Sequence, residues 1–310
     1  MRQMLLCCTM AAAALATSSI CSPPASAHEP ADAAASRTLD LAVPTTVVQG
    51  GLVRGHLPAG ASVSIAVDPA TGEDGPLRAL QVTDHGSFIF GASRDRTSPI
   101  RVEVVLPDES RREFMITVIS RRWQLERVSG VPEATVNPPP AIAERIAREQ
   151  SSVAQARTRD DARDDFTSTF HWPLTGRISG VYGSQRIYNG TPKSPHSGVD
   201  VAARTGTPVH APAAGIITFA KPDLYLTGGT VLIDHGHGLS SSFLHLSRID
   251  VRVGDRVEQD QVIGLVGATG RATGPHMHWG MNWFGVRVDP QLLVGPMPAV
   301  EPSAGATPSR

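Results

Sequence analysis

Between Thr207 and Val266 the chain is cut into apolar runs too short for packed helices. They are Thr207-Pro208-Val209-His210, Gly215-Ile216-Ile217-Thr218-Phe219, Thr230-Val231-Leu232-Ile233-Asp234, Ser242-Phe243-Leu244-His245-Leu246 and Gln261-Val262-Ile263-Gly264-Leu265-Val266. Gly228-Gly229 and Gly236-His237-Gly238 punctuate them. β-branched runs of this length between glycine turns specify strands. The same grammar runs from Val43 to Ser120, through Ser62-Val63-Ser64-Ile65-Ala66-Val67, Ser87-Phe88-Ile89-Phe90, Ile100 to Val105 and Glu113 to Val118. With 29 Gly and 25 Pro in 310 residues, the chain reads as all-β in two regions.

Asn137-Pro138-Pro139-Pro140 breaks the chain between those regions. Residues 141 to about 165 then predict a polar helix. Its apolar stripe is thin, only Ile142, Ile146 and Val153 among Arg, Glu and Asp, which suits a solvated connector. The expected organisation is residues 28–42 as a lead-in, 43–137 as a small N-terminal β-sandwich and 138–165 as a Pro-rich turn and helical linker. A second β domain follows over 166–296, then a Pro-, Ala- and Ser-rich tail over 297–310.

Residues 1–27 read as an export signal. Arg2 supplies the positive start, Met4 to Ala16 a short apolar stretch, and Ala25-Ser26-Ala27 an A-x-A cleavage site. The apolar stretch is too short for a membrane span, and no second run of that length follows, so the mature chain is expected to lack a transmembrane segment. Cys7, Cys8 and Cys21 all precede the cleavage point. The mature chain then has no thiol, and any metal must be held by nitrogen and oxygen ligands. A net charge of −1 gives no basic footprint for nucleic acid.

Eight of the 11 histidines lie between His171 and His278. In His196-Ser197-Gly198-Val199-Asp200, an extended strand points positions four apart to one face, so an imidazole and a carboxylate would project together. In Gly274-Pro275-His276-Met277-His278-Trp279-Gly280, positions two apart share a face, so Met277 and Trp279 would enter the core while both imidazoles face outward. In Phe243-Leu244-His245-Leu246-Ser247, alternation puts the leucines on the buried face and His245 on the open one, as a candidate acid or base. His235 and His237 also have H-x-H spacing, but in a hairpin turn that predicts turn or rim residues. His210 is expected to end a strand, and His56 and His85 sit beside glycines at turns.

In this order, and with the glycine-rich stretch from Gly254 to His278, the motifs resemble the LytM and lysostaphin-type zinc metalloendopeptidases over about Trp172 to Leu293. The resemblance implies a C-terminal antiparallel β barrel-like sandwich of the duplicated hybrid motif type. It implies one Zn2+ held by His196, Asp200 and His278, with His245 and His276 as unligated catalytic histidines. The implied activity is hydrolysis of peptidoglycan peptide cross-links through a zinc-activated water, by a protein exported to the periplasm of a Gram-negative bacterium. Protein regulators are a further implied class of partner. The alternative the family offers is a non-catalytic regulator that activates other cell-wall hydrolases. Such chains lack one or more of the five positions, and this one keeps all of them. One departure is Phe243, where many family members carry Tyr.

Overall fold

The computed structural model describes residues 41–129 and 138–298. The segment expected to direct export, the three cysteines and nearly all of the expected lead-in and tail lie outside the described residues. Every described residue falls within the compact unit Leu39–Arg310.

The chain is all-β apart from one α-helix and two single-turn 3-10 segments among the described residues. In the N-terminal β region a five-stranded sheet is built on Ser62–Val67, Ile100–Val105 and Arg111–Ile119. Thr46–Val48 joins its edge parallel to Arg111–Ile119. Leu52–His56 and Ser87–Gly91 form a separate antiparallel pair. Alternation in these strands sends Val63, Ile65, Val102 and Val104 inward, where they bury with Phe88 and Phe90.

The C-terminal region is an eight-stranded antiparallel sheet. Its central strands are Gly215–Leu224, Gly228–Asp234, Leu239–Leu246, His276–Trp283 and Gly198–Ala202, with Arg177–Gly180 at one edge. A three-stranded sheet of Pro208–His210, Val262–Leu265 and Arg248–Ile249 encloses the other side of the core. Val199, Val201, Val231, Ile233, Phe243, Met277 and Trp279 are fully buried there. Each such side chain contributes about 1.5–3 kcal/mol by leaving water.

The two cores interpenetrate. Trp283 and Val286, at the end of the site-bearing sheet, pack in the N-terminal core, with the Trp283 ring 6.3 Å from Phe90 and edge-on to it. Ile89 packs in the C-terminal core. The segment after the N-terminal region adds a further tie, because Leu125–Val128 pairs parallel with Gln185–Tyr188 just before the His196 loop.

The helix spans Pro140–Ala156 and stops about nine residues short of the expected end. Proline at its first turn is favoured because the missing N–H is unpaired there anyway. It is a docked connector. Val153 and Ala156 pack on Phe219, Leu224 and Leu232, while Arg145 donates to the Asp223 carbonyl at 2.7 Å and Glu149 accepts from the Tyr225 N–H at 2.8 Å. The following segment is strapped to the 235–238 turn, with Phe166 N–H donating to His235 O at 3.0 Å and His237 N–H to Asp161 O at 2.9 Å. Gly236 has φ 86°, and a Cβ there would run into the Arg163 carbonyl.

Candidate metal centre

Asp200 and His278 face each other across the antiparallel pair Gly198–Ala202 and His276–Trp283. That register puts both side chains on the same face, while Val199, Val201, Met277 and Trp279 fill the core behind them. His196 lies outside the strand that was expected to carry it, in the irregular stretch just before Gly198. Its backbone is nonetheless held in place. The His196 N–H donates to Ser184 O at 2.8 Å, and the Gly183 N–H donates to His196 O at 2.9 Å.

Three ligand atoms converge. His196 Nε2 lies 3.1 Å from Asp200 Oδ1 and 3.0 Å from His278 Nδ1, and the third edge, His278 Nδ1 to Asp200 Oδ1, is 2.9 Å. A tetrahedral ion with bonds of about 2.0–2.1 Å separates its ligands by about 3.3 Å, so only a small expansion admits one. The proton count also favours a cation. His196 Nδ1 donates to the Val181 carbonyl at 3.0 Å, which leaves Nε2 as a bare lone pair. At most one N–H, that of His278 Nδ1, remains for two facing acceptors. Two imidazole nitrogens and a carboxylate oxygen form a set that can hold a divalent metal and leave a coordination position open.

The electrostatics fit the same role. Burial pushes His278 down to about 4, so the imidazole stays neutral and free to ligate. Burial opposes ionisation of Asp200, but the two imidazoles that face it, His196 and His278, outweigh that and hold the carboxyl well below the usual carboxylate range. Gly180 pairs directly with Asp200, and a Cβ there would collide with the carboxylate. This close approach has no local signal in the sequence.

His276 and His245 complete the cluster, with ring centroids 4.7 Å apart and His276 Nε2 3.8 Å from Asp200 Oδ1. His276 Nδ1 donates to Gly274 O and His245 Nδ1 to Thr269 O, each at 2.8 Å. Both rings are thereby fixed in the tautomer that leaves Nε2 as an acceptor. The expected placement of His245 needs correction. It is 8% exposed, not on an open face, and Leu244 is only partly buried. The cause is local: His245 has φ 65° and the ladder shifts register beside it. The break lets Phe243 and Leu246, three apart, both enter the core, which strict alternation forbids. A non-glycine residue in this conformation costs about 1–3 kcal/mol and is typical of functional sites. Phe243 itself is fully buried opposite Trp279, so a tyrosine hydroxyl at that position would lie on the core face.

The remaining histidines divide. His210 ends Pro208–His210 as expected. His235 and His237 are not rim residues: they are 0% and 4% exposed. His235 Nδ1 donates to Ala214 O at 2.7 Å, its Nε2 accepts from Ser241 Oγ at 2.8 Å, and its ring stands edge-on to Phe170. His237 lies against Phe166 at 4.6 Å. The 157–167 segment that covers this turn is distant in sequence, so nothing near the turn could have announced the burial.

Residues 194–290 match the family model described as Peptidase family M23. A solved crystal structure of a peptidase M23 from Pseudomonas aeruginosa is similar with TM-score 0.60 and 31% identity, over 80% of this chain and 95% of that one. The chain belongs to peptidase family M23. Among curated M23-related proteins it is 40% identical over 104 residues to peptidoglycan DD-endopeptidase ShyA of Vibrio cholerae, covering 33% of this chain and 24% of that one. It is 42% identical over 104 residues to DD-carboxypeptidase/endopeptidase Mpg of Neisseria meningitidis, with the same coverage of 33% and 24%. The matched segment spans about a quarter of the length of these relatives. The M23 match lies inside the stretch that carries the LytM-type resemblance in the sequence.

Proposed function

We propose that this M23 peptidase is an exported zinc endopeptidase that hydrolyses stem-peptide cross-links of peptidoglycan. The observation that carries the reading is the three-atom cluster of His196, Asp200 and His278 set beside two imidazoles whose Nδ1 atoms are tied to carbonyls. The names of the Vibrio and Neisseria relatives supply the substrate class.

His196, Asp200 and His278 would hold the ion. Zinc, when bound, supplies Lewis acidity to the scissile carbonyl and to a water molecule. His245 and His276 present acceptor Nε2 atoms toward that space. Burial keeps His245 neutral against the opposing hydrogen bond to Thr269 O, so it enters the reaction able to take a proton. Between them the two imidazoles accept the proton of the attacking water and deliver one to the leaving amine. No helix among the described residues is long and apolar enough to span a bilayer. We assign the periplasm as the compartment because that is where the stem-peptide substrate lies in a Gram-negative envelope.

Purified protein incubated with peptidoglycan sacculi is expected to release cross-link fragments identifiable by mass spectrometry. Cleavage should stop with chelator and return with zinc. Intact sacculi after treatment with metal-loaded protein would sink the reading and favour a binding or regulatory role.

A further inference from the structure

A cavity of about 180 Å³ borders the loop that carries the ligand His196, which is part of its lining. Tyr182 and Arg287 come from the C-terminal region, while Ser93, Arg94 and Asp95 come from the N-terminal β region. The two regions therefore build this space together.

The N-terminal wall is fixed in place. Arg94 Nε donates to the Gly183 carbonyl at 2.9 Å, and the Gly183 N–H donates to His196 O at 2.9 Å. The Arg94 guanidinium lies 4.8 Å from the ring centre of Trp123, which stands edge-on to Tyr182 at 5.9 Å. Tyr182 Oη in turn donates to the Arg287 carbonyl at 2.8 Å. Arg94, ion-paired with Asp95, thus ties the N-terminal wall to the loop that carries His196.

The charges do not cancel. Asp95 is committed to Arg94, whereas the exposed Arg287 has no ion pair among the described residues. The cavity is left with an unmatched guanidinium beside a peptidase centre. A guanidinium fork matches a carboxylate in two parallel hydrogen bonds. An extended peptide advances about 3.3–3.6 Å per residue, so a cavity that touches His196 receives a group within about two residues of the scissile bond.

We propose that this cavity is a subsite for a free carboxylate of the peptide substrate, within two residues of the bond cut, with Arg287 as the carboxylate ligand and Arg94 as a positioning residue. The inference rests on the peptidase reading above and adds a specificity determinant to it. It also gives the N-terminal β region a role, as one wall of the substrate site.

The test uses the full chain and two cross-linked stem peptides that differ only in whether the carboxylate next to the cross-link is free or amidated. Binding is measured by calorimetry on chelator-treated protein, which prevents turnover and removes a metal as the carboxylate's partner. Wild type is expected to bind the free acid about tenfold tighter than the amide, the scale of a charge-assisted hydrogen bond. Arg287→Ala should bring that ratio close to one, and Arg287→Lys should keep part of it. Arg252→Ala, an exposed arginine outside the cavity lining, should leave it unchanged. Because Arg287 is exposed, its truncation leaves the cores intact, which circular dichroism checks.

A wild-type ratio of one, an unchanged ratio in Arg287→Ala, or no binding of either peptide would overturn the subsite. Turnover by metal-loaded protein is measured separately. If neither peptide is cleaved but the binding ratio still collapses in Arg287→Ala, the peptidase reading fails and the carboxylate subsite stands.

Discussion

The chain contains the same spacing twice, His276-Met277-His278 and His235-Gly236-His237, and the two pairs end in opposite situations. The first sits at the start of a regular strand, where a period of two puts both imidazoles on one face and Met277 and Trp279 in the core. The second straddles a turn whose Gly236 and His237 have φ of 86° and 49°. There the rings part: His235 bonds Ala214 O and Ser241, and His237 lies on Phe166 under the 157–167 segment. Spacing alone does not make a ligand pair. It contributes to a site when a regular strand holds both rings on one face, where His278 can meet Asp200 of the neighbouring strand and His276 can stand beside them.

The largest expected effect breaks the symmetry between the pairs outright. His278→Ala should lose its zinc, read by elemental analysis, and fall to the hydrolytic rate of chelator-treated protein. His235→Ala should retain both zinc and cleavage per folded molecule. It should lose about 2–4 kcal/mol of stability, because it leaves a cavity and strands Ala214 O and Ser241 Oγ. If His235→Ala lost its metal, the division between site and scaffold drawn here would be wrong.

Next in size comes the contrast between His278 and its neighbours. His245→Ala and His276→Ala are each expected to lower kcat by about 10²–10⁴-fold, the usual worth of a positioned acid or base, with zinc content unchanged. Full rate in both variants would remove these histidines from the reaction.

Much of the site was legible in the sequence because strand periodicity is local. Met277 and Trp279 enter the core as alternation requires, and Asp200 faces His278 because the ladder between their two strands is regular. Three features were not legible. The left-handed backbone at His245 depends on a register shift against Gly228–Asp234. The burial of His235 and His237 depends on a segment some 70 residues upstream. The cavity wall supplied by Ser93, Arg94 and Asp95 depends on packing between the two β regions. Each is a long-range contact, which no window of sequence encodes.

Stability at the His235 turn depends on pH. Burial pushes His235 down to about 4, against about 6.5 in the unfolded chain. Between those values the unfolded state binds more protons at this site, so His235 contributes stability that is complete above about pH 6.5 and is lost as pH falls toward 4. The loss amounts to about 3 kcal/mol. Asp234 acts in the opposite sense. Burial pushes its carboxyl up to about 6, against the charge of Arg163, so its share of stability grows as pH falls through that range. The wild-type curve therefore mixes the two. The difference between wild type and His235→Gln cancels the Asp234 share. Measured by urea unfolding, that difference should shift by about 3 kcal/mol against wild type from pH 7 to pH 4. A difference that does not move with pH would mean the buried ring is not held neutral.

The smallest expected effect concerns His237. Its ring is only 4% exposed, yet among the described residues neither nitrogen has a hydrogen-bond partner of good geometry, and the space beside it, lined by Gln81, Asp160 and Phe284, holds only about 10 Å³. That is barely room for one water. Burying an imidazole without partners costs about 1–3 kcal/mol, which an apolar side chain of similar size would avoid. The left-handed backbone is already borne by the histidine, so most of its cost is common to both side chains and cancels. His237→Leu is therefore expected to raise stability by about 1 kcal/mol in urea unfolding, with cleavage and zinc content unchanged. A loss of more than about 1 kcal/mol would instead mean that a bridging water or the Gln81 backbone satisfies the ring in solution. The turn pair would then be a polar clamp on the 157–167 segment, and both histidines of the second H-x-H pair would be held by hydrogen bonds.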